Sequence, residues 1–179
     1  NISIQKHVNG QLKVWALPDK TEIIKNRYVV PVDIGGRTKK ADYSVIRVID
    51  RYPLLFGGVP EAMLTWKGHL DQDLVIWKAV QIAKFYNDAL LVPEQNSLRK
   101  DQQDSEGDHF LTLLDEIIDI YDNIFCRTSP EQIKQGAPKR YGFHTGSNKA
   151  DLITNVNKKL RDEGYIEYDS EVCDEYDYY

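Results

Sequence analysis

Two carboxylates, Asp33 and Glu94, stand at the ends of two short apolar runs of the chain. The runs, residues 27–34 (RYVVPVDI) and 89–94 (ALLVPE), are typical of buried strands. If a right-handed crossover made them parallel neighbours, both carboxylates would lie at one sheet edge, about 5 Å apart in backbone. Two acids that close repel each other unless a divalent cation neutralises them, and Mg²⁺ and Mn²⁺ prefer carboxylate oxygens. The pair therefore predicts a metal site.

The elements that must position this pair begin with three strand-like segments, residues 27–34, 43–50 and 62–67. Their β-branched content and short connections predict an antiparallel meander. Pro31 argues against a central place for the first strand, because proline cannot donate to a ladder, but its flanking valines favour a strand. Ahead of the meander, residues 1–25 predict a lead-in hairpin that turns at Asn9-Gly10.

Helical periods follow the meander. From Asp71, apolar residues recur every three or four positions, which predicts a helix leading into the strand at residues 89–94. Two further helices are predicted from apolar faces, the first carrying Phe110, Leu114, Ile117 and Tyr121. The second carries Leu152, Val156 and Leu160, with Ser147 as N-cap and Gly164 after its end. A short last strand is predicted at residues 165–168.

This order of elements predicts an α/β fold. Three antiparallel strands precede a crossover strand in a mixed sheet, and helices cover its faces. We expect one domain with its core at residues 26–168 and an acidic, tyrosine-rich end at residues 169–179. Because the chain begins at Asn1 without a signal pattern, we expect it to be part of something longer.

Composition excludes several classes of protein. The chain has 179 residues with 41% hydrophobic residues and a net charge of -5, as in an ordinary globular domain. Its longest uncharged stretch, residues 52–60, is too short for a membrane helix, and Cys126 and Cys173 lie too far apart for a zinc ribbon. Residues 151–179 carry nine acidic and three basic residues, so the rest of the chain is nearly neutral. Net acidity therefore does not exclude a nucleic-acid partner.

The motifs resemble those of a known family. The string from Tyr28 to Gly36 (YVVPVDIGG), the downstream Asp42-Tyr43-Ser44, and Glu94-Gln95-Asn96 are similar to motifs of the nuclease domain of phage terminase large subunits. The stretch 142–168 is similar to the segment that precedes the family's third motif. This resemblance implies a ribonuclease H-like fold and an endonuclease that cuts concatemeric viral DNA during packaging.

The resemblance also implies site residues. Asp33 and Glu94 would be catalytic metal ligands, and Asp42 and Asn96 would be supporting residues. Two Mg²⁺ or Mn²⁺ ions, held about 3.5–4 Å apart, would activate water and stabilise the leaving 3′ oxygen. The family's third acidic ligand has no counterpart before Tyr179, so we expect it further on, and weak or no cutting by this chain. Asp151 and Asp169 are poor substitutes.

Basic and aromatic residues supply the remaining candidates. A DNA-contacting cluster is predicted from six cations in two regions of the chain: Arg37, Lys39, Lys40, Lys139, Arg140 and Lys149. His144 has no acid or cysteine at ligand spacing, so a structural role is favoured. Trp66 and Trp77 are expected in the core, and the tyrosines from Tyr176 onward in a packed or frayed end.

The resemblance implies partners as well: double-stranded DNA, a packaging ATPase domain N-terminal to Asn1, and the small terminase subunit and portal. No membrane partner is expected, and the predicted location is the cytoplasm of a phage-infected or lysogenic bacterium. Two alternatives stay open. Asp33-Ile34-Gly35-Gly36 followed by Thr38 resembles a phosphate loop of actin-like ATPases and sugar kinases, although a second glycine-rich loop is lacking. A non-catalytic, ribonuclease H-like DNA-packaging module is the other.

Overall fold

A five-stranded mixed sheet organises the molecule, in a computed structural model that describes residues 2–35, 42–94, 117–146 and 149–176. The strands are β1 (Leu12–Val14), β2 (Tyr28–Asp33), β3 (Ser44–Asp50), β4 (Glu61–Gly68) and β5 (Leu90–Pro93). The helices are α1 (Gln72–Phe85), α2 (Pro130–Lys134), α3 (Lys149–Arg161) and α4 (Ser170–Tyr176), and a 3₁₀ turn spans Tyr52–Phe56. None of the described helices is long and apolar enough to cross a membrane.

The strand order is β1-β4-β3-β2-β5. Strands β2, β3 and β4 pair antiparallel in succession, and β5 returns through α1 to pair parallel with β2. A parallel neighbour needs such a crossover, because a tight turn can join only antiparallel strands. The predicted mixed α/β sheet, with three antiparallel strands followed by a crossover strand, is confirmed.

Strand β2 keeps a central place although it contains Pro31. Its residues pair with β3 on one side and β5 on the other, and the β3 register is the same before and after the proline, at Val29↔Ile49 and Val32↔Ile46. Val30 and Val32 are fully buried beside it. Burial of these β-branched side chains outweighs one missing ladder donor, so the objection raised by Pro31 does not hold.

Helix α1 buries one face against the sheet and forms most of the core with it. The buried positions recur at helical spacing, and they are Val75, Ile76, Ala79, Val80, Ile82 and Ala83. They face the buried side of the strands, which includes Val30, Ile46 and Leu64. Trp66 belongs to this core as expected, but Trp77 is 39% exposed. The prediction of a core Trp77 is wrong, because that position lies on the outer face of α1.

The two ends of the chain differ from the sequence predictions. A turn forms before Gly10, but residues 2–7 form no strand, and β1 pairs with β4 through Leu12↔Trp66. The first arm of the predicted lead-in hairpin is therefore wrong. The predicted last strand is reduced to one parallel bridge, Glu61↔Ile166. Phe110 and Leu114 of the predicted second helix lie outside the described residues, whereas Ile117 and Tyr121 are buried in the core.

The C-terminal segment pairs with the basic side chains of the other sheet face. Register places Lys13, Thr65 and Arg47 side by side on β1, β4 and β3. Arg47 donates to Glu167, and both side chains are largely buried. Lys13 Nζ lies 2.9 Å from Asp169 Oδ1, and Lys67 Nζ lies 3.0 Å from Glu175 Oε1. Much of the acidity of this end is thus paired within the domain.

A buried ion cluster closes the edge where β2 begins. Arg27 holds Asp50 with two nitrogens, Nε at 3.0 Å and Nη2 at 2.9 Å from Oδ2, and its Nη1 lies 3.1 Å from Asp19 Oδ2. The Asp50 Oδ1 atom also accepts from the backbone N–H of Tyr52 at 2.8 Å. Asp50 is only 2% exposed. This cluster fixes the end of β3 against the start of β2.

Candidate metal site

Strand register places Asp33 and Glu94 next to each other. Val32 pairs with Pro93 in the parallel ladder, and the Glu94 N–H donates to the Val32 carbonyl at 2.8 Å. The next residue on each strand is the acid, and the two carboxyl groups lie close enough for the charge of Glu94 to act on Asp33. Both acids therefore lie at the carboxyl ends of parallel strands, the usual place for ligands in an α/β sheet.

The pair is electrostatically unfavourable without a counter-ion. The pKa of Asp33 is raised above its ordinary value, first because neighbouring protein desolvates the carboxyl, then because of the charge of Glu94 and the hydrogen bond to it. The charge of Asp42 raises this pKa further. Asp33 nevertheless remains exposed, so an ion from solution can reach it. Closely spaced carboxylate oxygens that repel each other suit a hard divalent cation.

Gly35 lets the chain return close to Asp33. A Cβ at this position would lie 2.2 Å from the Asp42 carbonyl oxygen and 2.5 Å from that of Tyr43. The Gly35 N–H also donates to Ser44 Oγ at 3.0 Å, which ties the end of β2 to the start of β3. Because Gly35 has no side chain, Asp42 can lie close enough for its charge to raise the pKa of Asp33.

We expect Gly35→Ala to shift the backbone at Asp42 and Tyr43. The new Cβ would clash with main-chain atoms, which cannot move away by rotating a side chain. The cost should be about 1–3 kcal/mol, as for overpacking elsewhere. Urea unfolding measures this, and Gly146→Ala is the matched control, since among the described residues its Cβ would meet only the His144 ring, at 3.4 Å. Equal stability of the two variants would contradict the close approach.

Glu94 is held from a second direction by the segment around Phe143. The Phe143 N–H donates to the Pro93 carbonyl at 2.7 Å, and Thr145 Oγ1 donates to Glu94 Oε1. Thr145 thereby orients one carboxylate oxygen. His144 beside it is half-buried, and its Nδ1 has no hydrogen-bond partner in the part of the chain that the structure describes. Sequence reasoning missed Thr145, which follows a histidine in an unremarkable polar loop.

The other predicted residues that the structure describes lie in three regions of the fold. Asp169 pairs with Lys13 on β1, which two strands separate from β2, so it lies away from the acidic pair. Asp151 is exposed in the first turn of α3. Lys139 and Arg140 are exposed just before Tyr141, and Lys149 is exposed at the start of α3. Outside the described residues lie Arg37, Lys39, Lys40 and Asn96.

The site as described is incomplete as a metal centre. Within residues 2–35, 42–94, 117–146 and 149–176, no three histidine, cysteine, aspartate or glutamate side chains are grouped closely enough to hold a metal ion. Asp33 and Glu94 are thus two ligands of the type that a divalent cation needs, with further positions left for water, substrate oxygens or a third carboxylate.

Solved structures share this architecture. The chain is similar to the large terminase nuclease from thermophilic phage G20c with bound magnesium, with a TM-score of 0.58 and 14% identity over 98% of this chain and 74% of that chain. The zinc-bound form of that nuclease gives a TM-score of 0.58 and 17% identity over 97% and 80% of the two chains. No family model and no curated protein matches the chain. The fold is therefore that of a terminase nuclease, as the motifs implied.

Proposed function

We propose that this chain is a metal-dependent endonuclease domain that cuts DNA during viral genome packaging. The observation that carries the proposal is the pair of adjacent carboxylates, Asp33 and Glu94, at the carboxyl edge of β2 and β5. The fold it shares with the G20c large terminase nuclease supports this assignment, and that nuclease has been solved with bound magnesium.

Asp33 and Glu94 would hold Mg²⁺ or Mn²⁺. Both offer oxygen ligands, and the burial and the neighbouring charge of Glu94 that raise the pKa of Asp33 are consistent with a site that a cation would stabilise. A divalent cation held by Asp33 and Glu94 would supply the Lewis acidity that hydrolysis of a phosphodiester needs. The chain's own residues orient the ligands: Thr145 fixes one oxygen of Glu94, and the β2–β5 ladder fixes both backbones.

We propose that a third carboxylate ligand, in addition to Asp33 and Glu94, completes the site. Two carboxylates alone hold divalent ions weakly, because each ligand removed lowers the charge that offsets dehydration of the ion. We therefore infer that Asp33 and Glu94 alone bind metal weakly and support little or no cutting. Asp42 and Asn96 would shape the site, and the packaging ATPase domain, small terminase subunit and portal would be partners in the assembled machine.

DNA is the proposed substrate. Lys139, Arg140 and Lys149 are exposed, and Arg140 lies five residues before Thr145, which touches Glu94. Cations so placed would bind backbone phosphates and fix the duplex across the acidic pair. Arg37, Lys39 and Lys40 would extend this contact.

Thermal unfolding with and without Mn²⁺ tests the metal site. A dissociation constant near 1 mM would give about 1.4 kcal/mol of stabilisation at about 10 mM Mn²⁺. The melting temperature should then rise by about 3–6 °C. Asp151→Asn, which changes an exposed carboxylate of α3, should leave this shift unchanged.

Three outcomes would revise the proposal. Tight binding of two ions would contradict the weak, incomplete site. Stabilisation by ATP in place of Mn²⁺ would favour the actin-like or sugar-kinase alternative. If Mn²⁺ does not change the melting temperature and the protein still binds DNA, the non-catalytic packaging module would be favoured.

A further inference from the structure

A pocket with two arginines lies beside α2. Its volume is about 350 Å³, within the range of small-ligand sites. Six residues line it, and they are Arg127, Thr128, Gln132, Ala137, Pro138 and Arg140. None of these lining residues, all within the described part of the chain, is acidic. Two arginines therefore line the pocket, and guanidinium groups are planar donors suited to phosphate oxygens.

Main-chain hydrogen bonds hold the two arginines at fixed separation. The Arg127 N–H donates to the Arg140 carbonyl at 2.7 Å. Thr128 Oγ1 accepts from the Arg140 N–H at 2.9 Å and donates to the Pro138 carbonyl at 2.8 Å. Gln132 Oε1 accepts from the Ser129 N–H in a capping box, which leaves the amide nitrogen of Gln132 as a further donor. The pocket is thus built before any ligand arrives.

The pocket lies at the same sheet edge as the acidic pair. Ile124 forms a parallel bridge with Leu91 of β5, so Arg127 and Glu94 each lie three residues further toward that edge. From Arg140 the chain runs back through the Cys126↔Tyr141 bridge. Gly142 then turns it with a φ of 81°, a value that glycine adopts at little cost, and Thr145 reaches Glu94.

This connection limits the distance between pocket and acidic pair. The five residues from Arg140 to Thr145 can span at most about 18 Å. One strand of duplex DNA carries a phosphate about every 3.4 Å along the helix axis. The main chain at Arg140 therefore lies within about five nucleotide rises of the main chain at Thr145, the residue that contacts Glu94.

We infer that this pocket binds a backbone phosphate of the DNA strand that is presented to the Asp33–Glu94 pair. The inference rests on the proposed function, since it takes DNA as the substrate. Arg127 and Arg140 donate to the phosphate oxygens, and the Gln132 amide adds a neutral donor. A phosphate bound in the pocket would fix the position of the DNA strand along the site. The pocket would thereby position the scissile bond without contacting bases.

Binding of a 25-base-pair duplex, followed by fluorescence anisotropy over a salt series, tests the inference. The variant Arg127→Gln/Arg140→Gln should weaken binding about 10- to 30-fold at about 0.1 M salt and reduce the slope of log K against log salt by about 1. The control Lys25→Gln/Lys84→Gln loses the same charge from exposed residues that precede β2 and β5, at the opposite edge. It should lose less than about 3-fold. Arg140→Gln alone, an exposed change, guards against misfolding of the double variant.

Equal losses in the two double variants would overturn the pocket, because they would reflect net charge alone. The pocket inference would also be overturned if Arg140→Gln and a folded Arg127→Gln/Arg140→Gln variant both bound the duplex with wild-type affinity. Stabilisation by Mn²⁺ is recorded on the same samples. If that stabilisation persists while the arginine changes have no effect, only the pocket inference fails. If wild type shows neither Mn²⁺ stabilisation nor DNA binding, the proposed function itself fails.

Discussion

Exchange of Asp33 for asparagine is expected to remove the Mn²⁺-dependent rise in melting temperature while stabilising the metal-free protein at neutral pH. The first effect follows because an amide is a neutral, weaker ligand. The second follows from the raised pKa of Asp33. The folded protein binds this proton more tightly than the unfolded chain does, so stability falls as the pH rises through the ordinary pKa and then the raised one. Asparagine has no titrating carboxyl, so the variant does not lose this part of its stability as the pH rises.

Cleavage is expected to change in the same direction as metal binding. In a protein with the complete site, Asp33→Asn should lower metal-dependent DNA cutting by about 100-fold or more. A metal supplies several kcal/mol of charge stabilisation, and about 1.4 kcal/mol corresponds to tenfold in rate. Asp151→Asn is the matched control, since it makes the same chemical change in an exposed helix turn. Unchanged Mn²⁺ response and cutting in Asp33→Asn would remove this carboxylate from the site.

Asp50→Ala is expected to destabilise the fold by about 3–5 kcal/mol, the cost of leaving one member of a buried ion pair unpaired. Arg27 would lose the hydrogen bonds that its Nε and Nη2 donate to this carboxylate, and the Tyr52 N–H would lose its acceptor. The Arg27 side chain is only 13% exposed, so water can replace little of this. Urea unfolding measures the change in the free energy of unfolding.

Asp19→Ala provides the comparison for this cluster. Asp19 binds the same arginine, but its side chain is 34% exposed, and solvent can take over part of its role. A clearly smaller loss than for Asp50→Ala is expected, as for exposed ion pairs. Equal losses in Asp50→Ala and Asp19→Ala would show that burial of the Arg27–Asp50 pair has no special importance.

The sequence carried enough information to place Asp33 beside Glu94, because strand pattern and crossover handedness are local and general properties. Once β2 and β5 were predicted as parallel neighbours, their end residues had to lie together, and the register Val32↔Pro93 has this consequence. The helix over residues 72–85 was likewise readable from its period. The prediction of a buried Trp77 was wrong because it relied on residue type, whereas the period of the helix places this position on the outer face.

Contacts made across long stretches of sequence could not be read in this way. Thr145 binds Glu94 from 51 positions away, and Arg27 binds Asp50 from 23 positions away. Neither pair belongs to a periodic pattern, so only the folded backbone brings them together. The pocket at Arg127 was missed for the same reason, since its second arginine arrives through the return of the chain after α2, where Gly136 has a φ of 88° and Tyr141 bridges Cys126.

The crossover between β2 and β5 has a kinetic consequence. Strands β2, β3 and β4 pair with near neighbours along the chain, but Asp33 and Glu94 are about 60 residues apart, and closing so long a loop costs more entropy. The two carboxylates thus meet only when β5 docks, after the meander can already exist. Their repulsion would then oppose the last step of folding, and an ion held by both carboxylates would act on the native state more than on the transition state. Such an ion would lengthen the lifetime of the folded domain while hardly changing how fast it folds.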